Sequence, residues 1–113
     1  MALHCTSSFF FLRTGMTENE YQAKLIKRIE ELVPGSIVLK NDPNYLQGIP
    51  DLLILYHDKW AMLEVKRSAK DKHRPNQDYY IDLFGEWVYS SFIFPENEEV
   101  VLYELQQALG VAR

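Results

Sequence analysis

From position 17 to position 35 apolar residues return every three or four places, at Tyr21, Leu25, Ile29 and Leu32, with Lys24, Lys27, Arg28 and Glu31 between them. That spacing makes one face of an α-helix. Its ends are marked too. Thr17 followed three residues later by Glu20 has the form of a capping box, and Val33, Pro34 and Gly35 stop the helix. The period then changes. Residues 36–40 read as a strand, 41–48 as a turn-rich loop, and 51–56 and 60–66 as two strands of a hairpin turning at His57, Asp58 and Lys59. Helical spacing returns over 75–87, with Pro75 in the first turn and Tyr79, Tyr80, Leu83 and Phe84 at helical positions, the two tyrosines reading as core. Residues 88–94 are rich in β-formers, and 96–110 form a last helix ended by Gly110.

The order is therefore α-β-β-β-α-β-α, which predicts an α/β fold with helices packed on a small mixed sheet. The hairpin makes the sheet partly antiparallel, and the strand after the second helix returns as a crossover. Both hairpin strands are apolar on two faces until their ends, so they belong in the middle. The chain has 113 residues, 47% of them hydrophobic and 25% charged, enough for one domain with one modest core. We expect that domain over 16–113. Residues 1–15 read as a disordered extension ahead of Met16, since the apolar run Phe9 to Leu12 is too short for a secretory signal. The single cysteine, Cys5, offers no disulfide framework and suits a cytoplasmic setting. No apolar stretch is long enough to cross a membrane.

Charge changes the picture. The net charge of −4 argues against indiscriminate coating of nucleic acid, but residues 1–74 hold 11 Lys/Arg against 9 Asp/Glu, and residues 75–113 hold 1 against 7. The basic share peaks in 66–74, where five Lys/Arg meet one Asp. This stretch follows the second hairpin strand, in which Trp60, Met62, Glu64 and Lys66 share one face by the alternation of side chains. Asp51 opens the first strand. Two carboxylates and a lysine thus end an apolar hairpin, where an unpaired charge is costly and wants a partner, a metal ion or a ligand.

The residues "IPD" (Ile49, Pro50, Asp51), "EVK" (Glu64, Val65, Lys66) and "RPNQ" (Arg74 to Gln77) resemble the PD-(D/E)XK nuclease superfamily, in particular its small stand-alone VRR-NUC-like phage and bacterial members. The resemblance spans 17–109. Its specificity lies in context: the Pro-Asp opens one hairpin strand, the acid-x-Lys closes the next, and the helices and last strand stand where that fold has them. It implies a restriction-endonuclease-like αβββαβ core, here with an added C-terminal helix, and a Mg²⁺-dependent endonuclease acting on DNA, with Mn²⁺ able to substitute. Asp51, Glu64 and the backbone carbonyl of Val65 would hold the ion, and Lys66 would orient or deprotonate a water. Gln77 matches a glutamine set near the site or the nucleic-acid backbone, although this chain has Arg-Pro-Asn before it where relatives often carry Ser-Pro. Helical spacing puts Glu18 on the inward stripe and Glu20 outside, so Glu18 is the expected third carboxylate and Glu20 a cap. Arg67, Lys70, Lys72, Arg74 and Gln77 are the expected contacts to phosphate.

Blander readings stand beside these. Glu64 and Lys66 also fit a strand-end ion pair, Asp51 a turn residue, Glu18 a helix-dipole partner and the basic loop a solvated surface. His57 and His73 have no partner at metal-ligand spacing and read as turn and loop residues. Junction resolution is the runner-up activity, a non-catalytic nucleic-acid-binding module the alternative of another class, and an interaction protein a third. One small domain carries one cleavage centre, so cutting both strands predicts a homodimer, built on the last helix or on 87–94. Recognition is expected to follow DNA shape and backbone more than base sequence.

Overall fold

The computed structural model describes residues 16–112, so the expected extension over 1–15 lies outside the described residues. The elements are α1 (Glu18–Leu32), β1 (Ile37–Lys40), β2 (Leu52–Tyr56), β3 (Lys59–Val65), α2 (Gln77–Trp87), β4 (Ser90–Ile93) and α3 (Glu98–Leu109), in the expected order. α1 begins with the expected capping box. The Glu20 N–H donates to the Thr17 hydroxyl at 3.1 Å, and the Thr17 N–H donates to the Glu20 carboxylate at 2.8 Å. Two N–H groups that a helix start leaves without partners are thereby satisfied, worth about 1 kcal/mol for the cap.

The sheet order is β1-β2-β3-β4, antiparallel through the first three strands and parallel between β3 and β4. The hairpin strands are central, as their apolar sequences require. Tyr56 pairs with Lys59, leaving His57 and Asp58 as a two-residue turn, with His57 at φ 55 as such turns demand. Lys59 is therefore a strand residue and not part of the turn. The parallel return of β4 is made over α2, because two parallel neighbours cannot be joined by a tight turn.

Alternation sends Leu52, Ile54, Ala61, Leu63 and Val65 to one face, where with Ile93 they are fully buried under α1 and α3. Each of the leucine, isoleucine and valine side chains among them contributes about 1.5–3 kcal/mol by leaving water. The two helices over this core are tied by a polar network. The Tyr21 hydroxyl donates to Glu98 Oε1 at 2.7 Å, and the Arg28 guanidinium bridges Glu98 Oε2 and Glu99. Burial and the Glu98 carboxylate push the Tyr21 hydroxyl far up, so it stays a donor.

On the other face α2 lies over β3 and β4, setting Phe84 against Trp60. β2 is not covered there, and Ile37, Leu39 and Leu55 remain exposed. The expectation of two covered faces thus holds for β3 and fails for β2, because one helix about 10 Å across spans about two strands at about 4.8 Å spacing, and this one lies on β3 and β4. The start of α2 also differs. Asn76 is its N-cap at φ 70, so Pro75 precedes the helix and does not sit in its first turn. The later start makes Gln77, Ile81 and Phe84 the inward positions. Tyr79 is consequently 61% exposed and not core, and Tyr80 is half-buried against Phe84. The other expected boundaries move by one or two residues. Among the described residues no helix is long and apolar enough to cross a membrane.

Candidate active site

The register of the hairpin brings the site together. Leu52 pairs with Leu63, so one step further Asp51 falls opposite Glu64, and two steps further Pro50 falls opposite Val65. Cross-strand partners share a face, which sets both carboxylates side by side at the end of the sheet. Proline has no N–H to give the Val65 carbonyl, and the Pro50 carbonyl is taken by Asn41 Nδ2 at 2.8 Å. The ladder therefore stops here. The Val65 N–H turns to Asp51 Oδ2 instead, at 2.9 Å, and this fixes the carboxylate. In an extended strand the N–H and C=O of one residue leave on the same side, so the Val65 carbonyl faces the same gap.

Lys66 follows on the Glu64 face and is buried, its N–H still held by the Ile93 carbonyl. Its ammonium donates to the Lys72 carbonyl at 2.7 Å and to Gln77 Oε1 at 2.8 Å, and stands 4.0 Å from Glu64 Oε2. The contact with Glu64 is thus carried mainly by Gln77. That amide accepts from Lys66 and from the Arg74 N–H at 2.8 Å, and donates through Nε2 to Glu64 Oε2 at 2.9 Å. The partners determine which end of the amide is oxygen, since only a carbonyl can accept from an ammonium. Gln77 reaches this position because it is the first residue of α2, directly after the N-cap Asn76, which meets Gly48. At Gly48, φ is +89, and a Cβ would lie 2.5 Å from the Asn76 Cβ and 2.8 Å from the Pro75 carbonyl oxygen. Only glycine allows the loop over 41–48 to close against the head of α2.

Three carboxylates share this end of the sheet, and all three hold protons more tightly than usual. Burial, then Asp51, pushes Glu64 up to about 8. Asp51 is raised chiefly by burial against the lowering effect of the Val65 N–H, and it lies within hydrogen-bonding reach of Glu64. Glu18 is raised by burial, then by Asp51 and Asp71. One oxygen of the pair stays without a partner: Glu64 Oε1 is buried and receives no hydrogen bond. Two buried carboxylates in contact need a proton or a cation between them.

The pair sits where two lobes of a cleft join. One lobe, about 580 Å³, is walled by Glu18, Asp71, Lys72 and His73. The other, about 400 Å³, is walled by Asn44, Gln47, Gly48 and Ile49. Asp51, Glu64, Arg74 and Gln77 line both. Of the expected phosphate contacts, Lys72, Arg74 and Gln77 line the cleft, whereas Arg67 and Lys70 are exposed and line neither lobe. Glu18 lines the cleft wall without completing a cluster. Among the described residues no group of three or more His, Cys, Asp or Glu is gathered closely enough to hold a metal ion. The oxygen donors at hand are the two carboxylates and the strand carbonyl, a hard set of the kind Mg²⁺ uses when water and substrate complete its shell.

Two wall residues were not anticipated as part of this cleft. Asp71 accepts from the Arg67 and Lys72 N–H groups and folds the basic loop back over Glu18. The only sequence signal for it is a lone acid inside a basic run. His73 also lines the wall. Comparison of the chain with models of known protein families, with curated proteins and with solved structures finds no match, so the functional reading rests on the residues themselves.

Proposed function

We propose that this chain is a divalent-metal-dependent endonuclease of the PD-(D/E)XK type that hydrolyses DNA phosphodiester bonds. One observation carries the reading. Glu64 Oε1 is buried without a donor beside a second carboxylate, at the one place in the hairpin where a proline interrupts the ladder. Asp51, Glu64 and the Val65 carbonyl would hold Mg²⁺ or Mn²⁺, with Glu18 acting through water from the wall. When bound, such an ion neutralises phosphate charge and makes a water acidic enough to attack near neutral pH.

The chain's own groups supply the rest. Lys66, fixed by two carbonyl acceptors, acts as a positive charge and a hydrogen-bond donor toward the reacting phosphate. Gln77 keeps Glu64 and Lys66 in register with each other. Lys72 and Arg74 on the rim meet neighbouring phosphates, a contact that orients DNA without reading its bases. A homodimer would bring two such centres to two strands.

The full chain with Mg²⁺ or Mn²⁺ is expected to cut at least one member of a panel of duplex, nicked, flapped, splayed, single-stranded and four-way DNA. Asp51→Asn and Glu64→Gln, still folded, are expected to cut none. A folded wild type that leaves the whole panel intact overturns the proposal, and salt-sensitive DNA binding without cleavage would mark a binding module instead.

A further inference from the structure

His73 is held in a way that a loop residue does not need. Its Nδ1 lies 2.8 Å from Asp78 Oδ1, and its ring stacks on Phe92 with centroids 4.0 Å apart and planes 17° from parallel. Phe92 is the register partner of Glu64 across the parallel β3–β4 pair, so both side chains rise from the same face one strand apart. The imidazole is thereby fixed over β4 on the side of Glu64 away from Asp51, and it lines the same cleft lobe as Glu64 and Lys66. Asp78 occupies Nδ1. Among the described residues Nε2 has no hydrogen-bond partner. A carboxylate on Nδ1 orients the ring and holds the Nδ1 proton, so that Nε2 is the nitrogen through which the ring passes a proton to or from a substrate atom.

We infer that His73 is a further catalytic residue, the proton donor to the departing oxygen of the phosphodiester, with Asp78 as its positioning residue. The inference rests on the endonuclease reading. A water oxygen forms the new P–O bond and its proton passes to solvent. The bond to the leaving oxygen breaks, that oxygen keeps the electron pair, and it takes the Nε2 proton of the His73 imidazolium, which keeps its Nδ1 proton on Asp78. Solvent returns a proton to the imidazole. The two sides of Glu64 then have separate tasks: the Asp51 side serves the attacking water and the His73 side serves the leaving group.

The test compares an ordinary oligonucleotide with one in which sulfur replaces the departing oxygen, its position chosen from the ends of the wild-type products. A thiolate leaves without needing a proton. His73→Ala and His73→Gln are expected to slow cleavage of the oxygen ester about 100-fold or more, within the usual range for a general acid, and cleavage of the sulfur ester by less than about threefold. Asp78→Asn should give a smaller loss, again confined to the oxygen ester. Equal losses on both esters would make His73 a structural or phosphate-holding residue and overturn the inference, as would no loss on the oxygen ester. Wild-type protein that cuts neither ester removes the endonuclease reading, and this inference with it.

Discussion

Two glutamates of this chain are buried to nearly the same degree, Glu98 at 5% exposure and Glu64 at 4%, and are provided for in opposite ways. At Glu98 each carboxylate oxygen has a donor, the Tyr21 hydroxyl on one and the Arg28 guanidinium on the other, and the cavity of about 290 Å³ alongside is lined by those matched groups. At Glu64 one oxygen has the Gln77 amide, the other has nothing, and the nearest charged neighbour on the next strand is another carboxylate. The first is how a fold closes a buried charge. The second is a buried carboxyl pair that only a shared proton or a cation completes, at a cost that the 580 Å³ cleft in front of it makes sense of.

The comparison breaks most visibly under charge removal at the open site. Glu64→Gln should lower metal-dependent cleavage by more than about a thousandfold while the metal-free protein melts at the same temperature or higher, because the variant relieves repulsion. A fall of several degrees in melting temperature would show that Glu64 is structural after all.

Acid and base sharpen the contrast next. Burial and the neighbouring Asp51 push Glu64 up to about 8 from an ordinary 4.5, and Asp51 and Glu18 are raised as well. Between these values the folded chain binds more protons than the unfolded one, so its stability falls as pH rises through that window. In EDTA, urea midpoints should drop from pH 5 to pH 8.5 by an amount on the order of 2–4 kcal/mol, with Mg²⁺ restoring much of it at the higher pH. Glu64→Gln should flatten the slope, and a midpoint that rises with pH contradicts the account.

At the closed site the expectation reverses. Glu98→Gln should cost about 1–3 kcal/mol of folding stability, since Tyr21 and Arg28 lose a charged acceptor and Arg28 keeps only Glu99. Cleavage per folded molecule should stay within about twofold. At the bridge, Gln77→Ala should reduce cleavage about 10–100-fold, as for a residue that orients groups next to a metal.

Much of this architecture is local, and local features are legible in a sequence. The capping box at Thr17 and Glu20, the alternation through β2 and β3 and the glycine at the end of α3 each depend on residues a few positions apart. Asp51, Glu64 and Lys66 could be named for the same reason, because one hairpin carries all three. What stayed hidden depends on segments meeting in space. Glu98 finds Tyr21 and Arg28 across 77 and 70 residues, so nothing near it in the chain tells it apart from a solvent-facing acid. Gln77 was named from the sequence, but its bridge between Glu64 and Lys66 depends on the Gly48 contact, the place of His73 depends on Phe92, and the outward turn of Tyr79 followed from a helix that starts two residues past Pro75. The uncovered face of β2 is likewise a matter of how far α2 reaches.

The central claim is that the open carboxylate pair is a divalent-cation site, and a calorimetric titration of Mn²⁺ into the full chain at pH 7, repeated in buffers of different ionisation heat, tests it most directly. Saturable binding that expels about one proton per chain, lost in Glu64→Gln and kept in Glu98→Gln, is the predicted result. Absence of saturable binding, or binding that Glu64→Gln leaves unchanged, would contradict it.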